Sequence, residues 1–110
     1  MNLEIEEVGN VSVIELLGDH LDASNATGFR DAIEPCVAAN ACLVLDLSQL
    51  TFVDSSGLGV LISCLRRLNG MGGDLKLCGM LESVHGLFSL VRMDRVFEIH
   101  DTRDQALNAF

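Results

Sequence analysis

The sequence predicts an α/β fold, with a mixed β-sheet of about five strands and about four α-helices packed against it. Apolar runs of strand length alternate with stretches whose apolar residues recur at helical spacing. The first two runs are joined by only Gly9-Asn10, which is typical of a β-hairpin. The chain has 110 residues, enough for one domain with a real core but too few for two. We therefore expect a single domain over residues 1–110.

The opening hairpin is predicted over residues 3–8 and 11–17, and an amphipathic helix should follow it. Residues 22–25, Asp-Ala-Ser-Asn, offer helix-capping side chains. The apolar positions after them share one helix face: Ala26, Phe29, Ile33, Cys36 and Val37. Pro35 interrupts this pattern and predicts a kink or an early break, because an interior proline removes a hydrogen bond and clashes with the preceding turn.

Residues 42–47 form a nearly continuous apolar run, which favours a central strand covered on both faces. A second helix is predicted after Phe52-Val53 and should end at Asn69-Gly70. Its apolar stripe consists of Leu58, Leu61, Ile62, Leu65 and Leu68. A short strand at 75–78 comes next, and strand, helix and strand of these lengths indicate a right-handed parallel crossover.

The remaining elements are a helix, a strand and a closing helix. Ser83 is predicted to cap the third helix, whose buried face should carry Val84, Leu87, Phe88 and Val91. Residues 96–99 favour a last strand. Residues 101–105 contain a capping-box pattern, which predicts a final short helix.

The charge balance and hydropathy exclude several classes of function. Asp and Glu number 16 against 7 Lys and Arg, so the surface should repel nucleic acids and anionic membranes and favour a partner with a basic face. No apolar stretch approaches the roughly 20 residues of a membrane span, and the first residues lack a signal-peptide pattern. We expect a cytoplasmic protein.

The four cysteines are predicted to be reduced and inert. They lack C-x-x-C pairing and lie in apolar periodic segments, where free cysteine behaves as a small buried hydrophobe. They are Cys36, Cys42, Cys64 and Cys78.

The most informative segment is residues 51–60, TFVDSSGLGV, where a strand becomes a helix. A helix N-terminus carries unsatisfied N–H groups and partial positive charge, so a phosphoryl group there gains hydrogen bonds. Gly57 and Gly59 should also leave room for another protein to approach. On residue types alone, a plain helix start is the stronger interpretation, with Asp54 or Ser55 as the cap and the glycines permitting a tight turn.

The run Asp54-Ser55-Ser56-Gly57-Leu58-Gly59 resembles the signature of the STAS family, the bacterial anti-sigma-factor antagonists. Residues 18–22, followed by Ala26 and Phe29-Arg30, resemble the exit from the family's second strand. Residues 43–48 resemble its central strand. The resemblance covers essentially the whole chain, weakens after Met80, and implies a STAS-type mixed sheet.

The resemblance also implies a function. In the family, the second serine of the pair accepts phosphate from an anti-sigma factor that is also a serine kinase, and a PP2C-type phosphatase removes it. Carried over, Ser56 is the acceptor, Ser55 is its neighbour and cap, and Asp22 and Asp54 contact the partner and shape the site. The implied contact surface is Asp22, Asp54, Ser55, Ser56, Gly57, Leu58 and Gly59. The unphosphorylated chain would then bind the anti-sigma factor and release a sigma factor.

A second hypothesis is a non-switching STAS accessory subunit of a transporter or a signalling scaffold, which needs the fold but not the phosphate. Enzymatic alternatives have little support. No G-x-S-x-G elbow occurs, the glycines lack a nucleotide-binding pattern, and the histidines lack metal-site spacing. We therefore expect no catalytic residues, no metal and no cofactor.

Overall fold

The computed structural model describes residues 2–110 and contains seven strands and four α-helices. The strands are β1 (Leu3–Val8), β2 (Val11–Leu16), β3 (His20–Leu21), β4 (Cys42–Asp46), β5 (Phe52–Val53), β6 (Asp74–Cys78) and β7 (Glu98–His100). The helices are α1 (Ala26–Ala39), α2 (Ser55–Gly70), α3 (Glu82–Leu90) and α4 (Arg103–Asn108), and a short 3-10 turn spans Met93–Arg95.

Five strands form the main sheet in the order β1-β2-β4-β6-β7. β1 runs antiparallel to β2, while the β2–β4, β4–β6 and β6–β7 pairs are all parallel. The hairpin start, the parallel centre and the mixed α/β class are therefore confirmed, and β4 is the central strand as predicted. β3 and β5 form a separate two-stranded sheet beside the main one.

The two faces of the main sheet bury very different amounts of apolar surface. Because side chains alternate along a strand, Leu43 and Leu45 of β4 point to one face and Val44 to the other. The first face packs against α1, α2 and α3 and forms the main core, which includes Phe29, Leu61 and Phe88. On the second face, α4 covers a small cluster of Val11, Val13, Val44, Cys78 and Ala106.

Polar contacts hold α4 on the second face. Thr102 caps the helix by accepting a hydrogen bond from the N–H of Gln105, as the capping pattern predicted. The guanidinium of Arg103 donates to Asp46 and Glu15, with both donor–acceptor distances at 2.6 Å. Burial opposes ionisation of Asp46, but its hydrogen bonds from Arg103 and Ser48 hold the pKa of this carboxyl below its usual value. The Asp46–Arg103 ion pair therefore anchors α4 to the central strand.

Three local predictions are wrong. Of the kink or early break expected at Pro35, the early break does not occur, since α1 continues to Ala39 and the buried Cys36 and Val37 beyond the proline pack into the core. Ser83 does not cap α3, because the helix begins at Glu82 and Leu81 occupies the cap position. Val91 is not on the buried face, since it follows the end of α3 and is 41% exposed.

The last predicted strand is shorter than expected. A turn of 3-10 helix precedes it, so β7 begins at Glu98. Phe97, which the prediction placed in this strand, lies before it but is buried.

No helix within residues 2–110 is both long and apolar enough to cross a bilayer.

All four cysteines are free thiols. Cys36, Cys64 and Cys78 are buried, while Cys42 is half-buried. Burial raises the pKa of the Cys64 and Cys78 thiols to about 11, so both stay protonated at neutral pH and are poor nucleophiles. This agrees with the inert thiols that the sequence predicts.

Val44→Asp should destabilise the fold by about 3–5 kcal/mol, because it places an uncompensated charge in a fully buried site. Val8→Asp is the matched control, since Val8 is 39% exposed and the same change there leaves the new carboxylate in water. Urea unfolding of both variants measures the difference. Equal free energies of unfolding for the two variants would contradict this account of the second face.

Candidate functional site

The small β3–β5 sheet brings two distant parts of the chain together. His20 pairs with Phe52 and Leu21 with Val53 in parallel register. The N–H of Asp54 extends this pairing by donating to the carbonyl of Leu21 at 3.3 Å. As a result, the loop after β3 lies directly against the start of α2.

Phe52 is left 54% exposed beside this site, an apolar feature that the sequence analysis did not single out.

Asp54 is the N-cap of α2 and also joins that helix to the loop after β3. One carboxylate oxygen accepts a hydrogen bond from the N–H of Gly57 at 2.9 Å. The other oxygen accepts from the N–H of Ala23 at 3.2 Å. Because Asp54 caps the helix, the capping role expected of Ser55 is wrong, and Ser55 is instead the first helical residue.

Gly57 allows the first turn of α2 to approach the backbone of β3. A Cβ added at Gly57 would lie 2.2 Å from the carbonyl oxygen of Leu21, far inside any real contact distance. The room expected beside Gly57 for a partner protein is therefore filled by Leu21. Gly59 differs, since a Cβ at that position would meet nothing within 4 Å, and it is exposed.

Asp22 lies half-exposed in the loop between β3 and α1. Its carboxylate accepts hydrogen bonds from the hydroxyl and the N–H of Ser24, which hold the pKa of Asp22 below its usual value. Asn25 occupies the N-cap position of α1, but its side chain makes no capping bond. It instead accepts from the N–H of Asp22 and donates to the carbonyl of His20. This network fixes the loop that carries the Asp22 carboxylate.

Ser56, the second residue of α2, is exposed and lines an open cleft between α1 and α2. The cleft has a volume of about 210 Å³. Its α2 wall consists of Ser56, Gly59, Val60 and Ser63, and its α1 wall of Ala26, Thr27 and Arg30. Arg30 is the only basic residue among those walls, so it supplies the positive charge of the cleft.

The predicted site residues thus lie on neighbouring segments but differ in exposure. Ser55, Ser56 and Gly59 are exposed, and Asp22, Asp54 and Leu58 are intermediate. Gly57 is buried. Sequence reasoning placed Arg30 in a family-like segment but gave it no role, and it did not consider Thr27 or Ser63. The sequence signal for these three residues is that helical spacing puts Thr27 and Arg30 near one face of α1 and Ser63 on the face of α2 that carries Ser56. That signal identifies a cleft only when α1 and α2 are known to be adjacent.

The fold and this helix start are those of a STAS-type domain. A family model described as the STAS domain matches residues 2–106, and the chain belongs to this family. An anti-sigma F factor antagonist of Paenibacillus polymyxa is 29% identical over 97% of this chain and 92% of its own length. The solved structure of an anti-sigma factor antagonist from Mycobacterium paratuberculosis has a TM-score of 0.85 and 28% identity, covering 98% of this chain and 92% of that one.

Two more distant structures show the fold alone. The Bacillus cell fate determinant SpoIIAA in its phosphorylated form has a TM-score of 0.71 at 22% identity, over 98% of both chains. The murine anion transporter Slc26a9 has a TM-score of 0.79 at 20% identity, and the match covers 93% of this chain but 18% of the transporter. The same fold therefore occurs both as a separate protein and as one part of a membrane transporter.

Gly57→Ala should destabilise the protein by about 1–3 kcal/mol, because the new methyl group collides with the backbone of β3. Gly59→Ala should instead stabilise it by about 0.5–1 kcal/mol, since alanine is the better helix former and the space is open. Thermal unfolding of both variants tests the pair. A neutral or stabilising Gly57→Ala would show that the helix start is not held against Leu21.

Asp54→Ala should cost about 0.5–2 kcal/mol of stability, because it removes the cap of α2. Ser55→Ala is the matched control and should change the free energy of unfolding by less than about 0.5 kcal/mol, as most exposed positions do. Denaturant titration distinguishes the two. The reverse order of effects would restore Ser55 as the cap.

Proposed function

We propose that this chain is an anti-sigma-factor antagonist switched by phosphorylation of Ser56. Unphosphorylated, it binds an anti-sigma factor that is also a serine kinase, and a sigma factor is released. The observation that carries the proposal is the position of Ser56, exposed in the first turn of α2 on a helix start fixed by Asp54 and Gly57. The proposal places the chain in the cytoplasm, where sigma factors act.

In this function the chain is the substrate of a kinase and not itself an enzyme. The Ser56 oxygen attacks the γ-phosphorus of ATP, ADP leaves, and the hydroxyl proton passes to a base of the kinase. Both oxygens of the Asp54 carboxylate are already bonded to backbone N–H groups, which favours a structural role over a catalytic one. A PP2C-type phosphatase would reverse the reaction by hydrolysing the ester to serine and inorganic phosphate.

The geometry supports Ser56 over Ser55 as the acceptor. Both are exposed, but only Ser56 lines the cleft between α1 and α2. The first N–H groups of a helix lack intrahelical acceptors, and the first such bond in α2 runs from Leu58 to Asp54. A phosphate on Ser56 would thus lie near free N–H groups at the positive end of the helix.

Phosphorylation would block the partner by a local change. Phosphate adds about −1.5 to −2 charges at neutral pH to a surface that already carries Asp22 and Asp54. The partner surface that we expect is basic around its rim and meets Ser56 and Gly59 at the centre. A tenfold loss of affinity needs only about 1.4 kcal/mol, so a steric clash of the bulky phosphate with the closely fitting centre, together with the cost of stripping its bound water there, is sufficient despite the basic rim.

A second candidate is a STAS accessory subunit that does not switch. The structural likeness to part of the Slc26a9 transporter supports this candidate, because it shows the same fold within a larger protein. An accessory role of that kind needs the fold and not a phosphate acceptor. The two candidates differ in what Ser56 does. An accessory subunit would bind its partner equally well whether or not Ser56 is modified.

The test is phosphorylation by the anti-sigma-factor kinase of the host, followed by phosphopeptide mapping. Wild-type protein should carry phosphate on Ser56, and Ser56→Ala should carry none while still binding the kinase. Ser63→Ala is the matched control, since Ser63 lies on the same face of α2 and lines the same cleft, and it should be labelled as wild type. Labelling of Ser56→Ala equal to wild type would overturn the assignment, and equal kinase binding by phosphorylated and unphosphorylated protein would favour the accessory subunit.

A further inference from the structure

The cleft beside Ser56 contains one basic side chain, that of Arg30. Arg30 lines the cleft from α1 and forms no ion pair with any of residues 2–110. This distinguishes it from Arg67 and Arg103, which are both engaged by carboxylates. Its guanidinium is therefore available to an anion that enters the cleft.

The acid one helical turn beyond Arg30 on α1 is already paired with another arginine. Glu34 lies one helical turn after Arg30, the spacing at which side chains on a helix meet. Both oxygens of its carboxylate accept hydrogen bonds from Arg67 of α2, one of them at 2.6 Å. This bidentate pair also holds the pKa of Glu34 below its usual value, so Glu34 stays ionised and paired with Arg67 at neutral pH.

The cleft has space for the group that Ser56 would carry. Its volume is about 210 Å³, many times the ~10–15 Å³ that admits one water molecule. Gly59 has no side chain to fill the cleft on its α2 side, and nothing lies within 4 Å of where a Cβ would be. Thr27 adds a hydroxyl to the opposite wall. Thr27 is the second residue of α1 and Arg30 is the fifth, and both line the same cleft as Ser56.

We infer that Arg30 is the receptor within this chain for the phosphate on Ser56. The phosphoryl oxygens turn into the cleft between α1 and α2 and accept charge-assisted hydrogen bonds from the Arg30 guanidinium. This inference rests on the proposed function and deepens it. Phosphorylation then changes the surface in two ways, since it adds a dianion and removes the one positive charge that the cleft offers to a partner.

The experiment uses full-length protein with phosphoserine inserted at position 56 during translation, so that no kinase is needed. Titration by phosphorus NMR gives the second pKa of the phosphate, which is about 6 for a free phosphoserine. A nearby guanidinium stabilises the dianion and lowers that pKa. Arg30→Gln should therefore raise it by about 0.5 or more relative to the same protein with Arg30 intact. Arg30→Lys should keep most of the lowering.

Arg66→Gln is the matched control, because it removes the same charge from an exposed position on α2 outside the cleft. It should move the phosphate pKa much less than Arg30→Gln does. Equal pKa values in the Arg30→Gln and Arg66→Gln proteins would overturn the inference. Because the phosphate is inserted directly, failure of a kinase to label Ser56 would count against the proposed function only.

Discussion

The close approach of the α2 backbone to β3 is the constraint on which the site depends. Only glycine at position 57 permits it, because the carbonyl of Leu21 occupies the space of any Cβ. The contact places the loop after β3 against the helix start, and Asp54 then bonds to both segments. Ser56 is consequently presented in one fixed position relative to Asp22. A looser junction would leave Ser56 without a fixed position relative to the loop after β3.

The charged groups near this junction divide into those that hold the structure and those that remain available. Each oxygen of the Asp54 carboxylate accepts a hydrogen bond from a backbone N–H, and each oxygen of the Glu34 carboxylate accepts one from Arg67. Asp22 is partly engaged by Ser24, and Arg30 lines the cleft without an ion pair among residues 2–110. This acidic chain therefore has a cleft in which the basic side chain of Arg30 lies beside the hydroxyl of Ser56. Local placement, and not net charge, decides where a phosphate can be received.

A switch built on this arrangement needs no rearrangement of the core. The first turn of α2 is anchored by a cap and a backbone contact, and the turns after it bury Leu61, Leu65 and Leu68 in the main core. On the opposite face of the sheet, the Arg103–Asp46 pair anchors α4 to the central strand. Modification of an exposed hydroxyl then alters only the surface that a partner meets. Under the proposed function, phosphorylation would change the charge and shape of the surface on a rigid support.

The sequence by itself determined the hairpin, the succession of the five main strands and four helices along the chain, the central position of β4, most of the buried helix positions and the position of the Asp54–Gly59 helix start. These depend on periodicity and turn chemistry, which are local and are visible in one segment at a time. Only the tertiary structure decided that Gly57 packs on Leu21, that Asp54 and not Ser55 is the cap, and that Arg30 faces the cleft of Ser56. The β3–β5 pairing that creates these contacts has two residues in each strand, too short to leave a periodic pattern. Contacts between distant segments depend on how packed elements meet in space, and no local pattern records that.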